Sequence, residues 1–206
     1  MTTTARRRLV AAAAATTLAL TLAACSGGDA SEGTGAGESP TTAETSQTEA
    51  HNAADAQFAQ MMIVHHEGAI EMAELAIERG ERPEVVALGE RISAAQGPEI
   101  EQMTGWLETW GEPGPDEMGH GGMDHGGIDM DGMDQEGAMA DLEALSGADF
   151  DRRFLELMIE HHKGAIEMSE QQLEDGENAD ALALARTIID AQTAEITEMT
   201  NLLSDI

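Results

Sequence analysis

The residues best suited to chemistry in this 206-residue chain come in a motif that occurs twice. Met62-Ile63-Val64-His65-His66-Glu67-Gly68-Ala69-Ile70-Glu71-Met72 recurs as Met158-Ile159-Glu160-His161-His162-Lys163-Gly164-Ala165-Ile166-Glu167-Met168, an offset of 96 residues. The same offset carries Phe58 onto Phe154, Gln96 onto Gln192, Glu99 onto Glu195 and Met103 onto Met199, with no insertion between. Each copy offers two imidazoles and two thioethers, the ligand set that suits copper and its soft relatives. Duplication of one helical unit is the simplest source of such a register.

A second group of soft ligands lies between the copies. Met118, His120, Met123, His125, Met130 and Met133 fall two to five residues apart in a Gly-rich stretch. An apolar side chain gains little in a segment that buries nothing. A thioether there is a neutral ligand that needs no deprotonation and, unlike a thiolate, cannot close into a disulfide outside the cytoplasm. The pattern points to capture of Cu(I) or Ag(I), and oxidation of these methionines to sulfoxide would weaken it.

The elements that position these groups follow from periodicity. On a 3.6-residue wheel centred on Phe58, the side chains of Met62, His65, Ala69, Met72 and Ala76 fall within about 40° of it, while Gln60, Glu67, Glu71, Glu74 and Glu78 point away. This predicts a helix over Asp55 to Arg79, ended by Gly80. The stripe Val85, Leu88, Ile92, Ala95, Glu99, Met103, Trp106 and Trp110 predicts a second helix running to Gly111, with Pro98 as a candidate kink. Equivalent helices are expected over Phe150 to Asp175 and Ala179 to Leu203, separated at Gly176. Two helical hairpins (55–110 and 150–204) joined by a long crossover (111–148) point to an all-α fold, a four-helix bundle of ferritin-like connectivity. A swapped dimer and separately packed hairpins stay open.

A hairpin turning near Gly80 and Glu81 sets His65 level with Gln96 and within a turn of Glu99, and the repeat sets His161 beside Gln192 and Glu195. A carboxylate inside an apolar stripe needs a partner, a proton or a cation. His65 and His161 are the nearest candidates for Glu99 and Glu195. On the alternative in which the motif is ordinary core, His65 is hydrogen-bonded to Glu99 and His66 lies in water at the bundle edge.

The chain starts with an export-like segment: Arg6-Arg7-Arg8, then an apolar run from Leu9 to Ala24, too short to span a bilayer comfortably. Leu22-Ala23-Ala24-Cys25 resembles a bacterial lipobox, which predicts a signal peptide over 1–24, lipidation of Cys25 and a flexible tether over 25–51. Arg6-Arg7-Arg8-Leu9-Val10 also loosely fits a twin-arginine signal. Cys25 is the single cysteine, so no disulfide forms within the monomer. The expected location is extracytoplasmic, with the membrane met through a lipid anchor only. Cutting the signal leaves seven basic against 40 acidic residues, a net charge near −33. That makes nucleic acid and anionic lipid poor partners and concentrates cations without selecting a metal.

The pattern Phe-x3-Met-Ile-x-His-His-x-Gly-Ala-Ile-x-Met, followed by Gln-x2-Glu-Ile-x2-Met, resembles the bacterial domain-of-unknown-function 305 family over about Asp55 to Leu107 and Asp151 to Leu203. The resemblance implies a ferritin-like helical bundle, an exported location and, for some members, copper binding through Met and His. Carried over by position, the implied ligands are Met62, His65, His66 and Met72, with Met158, His161, His162 and Met168. Pro98 and the Met/His crossover have no counterpart in the family motif.

Three functions compete. The first is an exported, lipid-anchored protein that sequesters Cu(I) or passes it to a delivery partner, without turnover. The second is a ferritin-like metal oxidase using His65, Glu99, His161 and Glu195, disfavoured because neither His pair has a Glu three residues earlier. The third is a metal-free interaction bundle whose acidic surface is the working part. Nucleophilic catalysis and phosphate binding have no support, since no Ser neighbours the His pairs and the crossover glycines follow no strand.

Overall fold

The computed structural model describes residues 50–117 and 133–206, and all of the elements it describes are helical. They are α1 (Ala53–Arg79), α2 (Pro83–Trp110), a 3-10 turn (Pro115–Glu117), α3 (Gln135–Glu143), α4 (Gly147–Asp175) and α5 (Ala179–Ser204). The expected signal peptide, Cys25 and all of the tether before residue 50 lie outside the described residues, as do Met118, His120, Met123, His125 and Met130.

The helix limits have local causes. Asn52 caps α1 by accepting from the Ala54 and Asp55 amides, while the Asp55 carboxylate receives the Asn52 amide, so α1 starts two residues before the expected Asp55. Pro83 opens α2 at the position where a missing N–H is tolerated, and α2 then runs unbroken through Pro98 to Gly111, whose φ of 71° ends it. Asn178 caps α5 by accepting from Asp180 and Ala181. α4 starts three residues earlier than the sequence suggests, through Gly147 at φ 63°, where an added Cβ would also strike the Glu81 carboxylate.

α3 is an element the periodicity did not announce. It rises from an Asp134 cap onto the Gly137 amide and buries Ala138 and Leu142. Gln135 donates to the Gly68 carbonyl of α1, Arg79 donates to the Glu143 and Leu145 carbonyls, and Arg153 of α4 pairs with Asp141. The stretch between the hairpins thus contains a helix clamped to both α1 and α4.

α1 packs along α2 and α4 packs along α5, and the two pairs meet chiefly where α1 crosses α4. An ion pair between Arg91 and Glu198 also joins α2 to α5. Two carboxylates lock the crossing. Asp55, at the start of α1, accepts the Glu177 and Asn178 amides at 3.1–3.2 Å and the Gln172 side-chain amide. Asp151, at the start of α4, accepts the Glu81 and Arg82 amides at 2.9 and 2.8 Å. Both carboxylates are fully buried. Each hairpin's first turn therefore holds the other hairpin's bend, and the 96-residue offset maps one contact onto the other. α1 and α4 are antiparallel, since the start of each meets the end of its partner.

Candidate metal centre

His65 and His161 meet at the α1–α4 crossing, and His66 and His162 sit next to them on the same two helices. His65, His66, His161 and His162 are each no more than 1% exposed. The rings of His65 and His161 lie 3.6 Å apart between centroids, tilted by 45°, so one residue from each hairpin meets its own repeat equivalent. His65 and His66 of the same helix are 6.5 Å apart. The centre is shared between the halves, with one His of each pair turned toward the opposite hairpin.

The carboxylates pair with the neighbouring residue, which corrects the expected partners. Glu99 meets His66 Nε2 at 2.7 Å, and Glu195 meets His162 Nε2 at 2.7 Å. His65 and His161 make neither contact, and His66 is buried instead of standing in water. The reason is that α1 has two neighbours. Successive residues point about 100° apart on a helix, so His65 faces α4 while His66 faces α2. The glutamate side chains keep 19% and 20% exposure, so each imidazole–carboxylate pair reaches from the interior to the surface.

Most of the ring nitrogens in this centre have no partner. Both nitrogens of His65 and of His161, and Nδ1 of His66 and His162, are buried without a hydrogen-bonding partner among the described residues. Nearly all buried polar groups in folded proteins are paired, and an unpaired one costs about 1–3 kcal/mol. Burial also pushes His65 down from 6.5 to about 3, with help from the fields of His66 and His162 and against a weaker pull from the His161 backbone. Burial likewise lowers His161 well below the usual imidazole range, with His65, His162 and His66 adding to the effect. Both rings are neutral at physiological pH, which leaves a nitrogen lone pair on each available to a ligand. A carboxylate on Nε2 favours the His66 and His162 tautomer that leaves Nδ1 with a lone pair, the arrangement by which an outer carboxylate orients a metal-bound imidazole.

The motif methionines belong to the two apolar clusters of the core. Met62, Met72 and Met158 are fully buried and Met168 is partly buried. Met62 shares one apolar cluster with Met103, and Met168 packs against it; Met72 and Met158 share the other with Met199, and Met133 packs against that one. Buried Gln96 and Gln192 each leave a side-chain oxygen unpaired nearby in sequence to the carboxylates. Among the described residues, no group of three or more His, Cys, Asp or Glu side chains is gathered as a metal site. A metal held here would need thioethers to complete its shell, which suits a soft ion and not a zinc site built from His and Cys alone. The buried Asp55 and Asp151 were invisible as functional candidates, although the repeat pairs them in sequence.

Comparison with known proteins identifies the family and its helical fold. The family described as Domain of unknown function (DUF305) matches residues 55–203. A DUF305 fragment from Deinococcus radiodurans is 32% identical, covers 75% of this chain and 98% of its own, and superposes with a TM-score of 0.66. CopM in its Cu(II)-bound form is 33% identical over 73% of this chain and 96% of its own, with a TM-score of 0.61. The Cu(I)-bound form of CopM gives 30% identity, the same coverages and a TM-score of 0.61. No functionally curated protein matches the chain. Among the described residues, no helix is long and apolar enough to cross a membrane.

Proposed function

We infer, for a chain that belongs to the DUF305 family, that it is an exported protein that captures copper as Cu(I), and equally Ag(I), through His and Met ligands. Copper is cargo in this reading: it is sequestered or handed on, with no turnover. The observation that carries the inference is the set of six buried, unpaired imidazole nitrogens at the α1–α4 crossing. Six of the eight imidazole nitrogens are buried without a partner, and a soft cation is a ligand their chemistry suits. The copper-bound forms of CopM support the choice of metal.

His65 and His161 supply nitrogens from opposite hairpins. His66 and His162, oriented by Glu99 and Glu195, supply Nδ1, and Met62, Met72, Met158 and Met168 supply thioethers. Met118, His120, Met123, His125, Met130 and Met133 of the crossover form a first point of capture. The surrounding architecture is a ferritin-like four-helix bundle of two duplicated hairpins, with α3 as an addition in the crossover. Leu22-Ala23-Ala24-Cys25 supports release of residues 1–24 and lipidation of Cys25, which would hold the acidic domain at the outer face of the cell membrane.

The test is competition for Cu(I) against a chromophoric chelator. Replacement of His65, His66, His161 and His162 by Ala is expected to remove the tightest binding, while deletion of residues 118–133 should remove a separate, weaker class. Unchanged affinity in the fourfold His variant would take the bundle centre out of the account.

A further inference from the structure

The junction of α1 with α3 is a cleft with acid on both sides and an apolar strip between. Gln135 donates to the Gly68 carbonyl at one end and Arg79 to the Glu143 carbonyl at the other, so α3 lies alongside α1 and points the same way. The cleft between these clamps has a volume of about 810 Å³. Glu71, Glu74 and Glu78 line it from α1, and Glu136 and Glu143 from α3, all five exposed. Leu75 and Met139 also line it; each packs against the core yet stays partly open to the cleft.

Other helix junctions match acid with base. Arg91 of α2 meets Glu198 of α5, and Arg153 of α4 meets Asp141 of α3. In the α1–α3 cleft, none of the five glutamates has an ion-pair partner among the described residues. Glu71 receives the Gln135 side-chain amide at 3.2 Å, a neutral donor. Arg79, the cation at the end of the cleft, turns to the Glu143 and Leu145 carbonyls and to the face of Phe150. Like charges three or four residues apart on a helix repel. The row continues to Glu67, whose carboxyl is raised above the usual range by partial burial and then by the fields of Asp116 and Glu71.

The repeat supplies an internal comparison. The 96-residue offset carries Glu71, Glu74 and Glu78 onto Glu167, Glu170 and Glu174 of α4, which are exposed too, but it carries Leu75 onto Gln171. Both hairpins therefore have the acidic row, and only the one beside α3 has an apolar side chain within it. A row by itself is a solvated helix face. Two rows facing one another across Leu75 and Met139 make a groove with an apolar bed and charged rims, the shape that receives an amphipathic helix.

We propose that this groove docks a basic amphipathic helix of a partner protein, its apolar stripe on Leu75 and Met139 and its Lys or Arg side chains along the two glutamate rows. Each row, Glu71 to Glu78 and Glu136 to Glu143, spans about 10 Å of helix, enough for about two turns of the partner. Charge complementarity selects the partner: the uncompensated rims attract a basic segment, and the formal net charge of −30 speeds its approach and repels acidic competitors. The contact needs no metal, so it stands apart from the imidazole centre.

The experiment uses the full, metal-free chain labelled with 15N and a synthetic helical peptide carrying a leucine stripe flanked by lysines, followed by NMR. Amide shifts should centre on residues 71–78 and 136–143, and a peptide of the same composition in scrambled order should bind more weakly. The triple variant Glu74→Gln, Glu78→Gln and Glu143→Gln changes only exposed side chains and should weaken binding about tenfold, the sum of several modest ion pairs. The matched variant Glu167→Gln, Glu170→Gln and Glu174→Gln removes equal charge from α4 and should stay within about twofold of the parent. Equal losses in the two variants, or equal binding of the scrambled peptide, would reveal attraction to overall charge alone and overturn the proposal. So would an absence of shifts in the groove, or a response of its amides to spermidine or magnesium ions but not to the peptide.

Discussion

The α1–α4 crossing buries polar groups in two places and treats them in opposite ways. At its ends, Asp55 and Asp151 are enclosed, and each carboxylate receives two backbone amides from the other hairpin's bend. In its middle, four imidazoles are enclosed just as completely, and six of their eight nitrogens receive nothing. The two regions obey the same repeat and lie on the same two helices, so crowding or poor packing does not separate them. The contrast teaches that the two buried carboxylates are satisfied where they hold the hairpins together, while the imidazoles between them are not. In the proposed reading, the nitrogens left open at the centre are where the metal is held.

The largest effect expected from that contrast is at the satisfied ends. Asp55→Ala would strand the Glu177 and Asn178 amides and the Gln172 side chain, and Asp151→Ala the Glu81 and Arg82 amides. Each is expected to lower stability by about 3–5 kcal/mol, because hydrogen bonds to a charged group are worth about 1.5–3 kcal/mol each; urea denaturation measures it. A loss under about 1 kcal/mol would erase the distinction between the regions.

A middle-sized effect is expected where the two treatments meet. Glu99→Gln keeps the shape but replaces the charged acceptor on His66 Nε2, and loss of an outer-shell partner typically weakens metal binding about 10- to 100-fold. Cu(I) competition should show that loss with little change in metal-free stability. The reverse outcome, lost stability and unchanged affinity, would assign the His–Glu pairs to folding alone.

The smallest effect belongs to the open middle. The double replacement His65→Leu with His161→Leu removes four unpaired nitrogens and should leave the metal-free protein as stable as before, or more so by about 1–2 kcal/mol. It should also flatten the acid limb. Between about 3, the folded value of His65, and its ordinary 6.5, the unfolded chain binds more protons than the folded one. The contribution of the neutral ring is whole above about 6.5 and declines as pH falls through that window. Thermal melts of the metal-free protein from pH 7 to pH 4 should show a steeper fall for the parent than for the double variant.

Much of this fold was legible before any coordinates. The four long helices are legible in two stripes, Phe58, Met62, Ala69 and Met72 for one helix and Val85, Leu88, Ile92 and Met103 for the next, and in their repeats, with Gly80 and Gly176 at the bends. α3 escaped because nine residues with two buried side chains make too short a wave to tell from a loop. The site was legible as a set of residue types but not as a set of partners. A helical wheel says that His65 faces inward; it does not say whether inward means α2 or α4, and 100° of rotation separates the two answers. That is why Glu99 was first assigned to His65 and is found on His66. Asp55 and Asp151 were unreadable for a related reason: a carboxylate at a helix start looks like an ordinary first-turn acid until the opposite bend is known to sit on it.

The crossed aspartate contacts also govern how the molecule comes apart. Since the beginning of each hairpin completes the bend of the other, neither can peel away and leave its counterpart whole. Unfolding is expected to be a single concerted event, and a nick or truncation in one hairpin should forfeit both. A fragment ending at residue 117 would keep α1 and α2 but lose the Asp151 carboxylate that closes their turn, so it should fail to stand as a miniature of the whole.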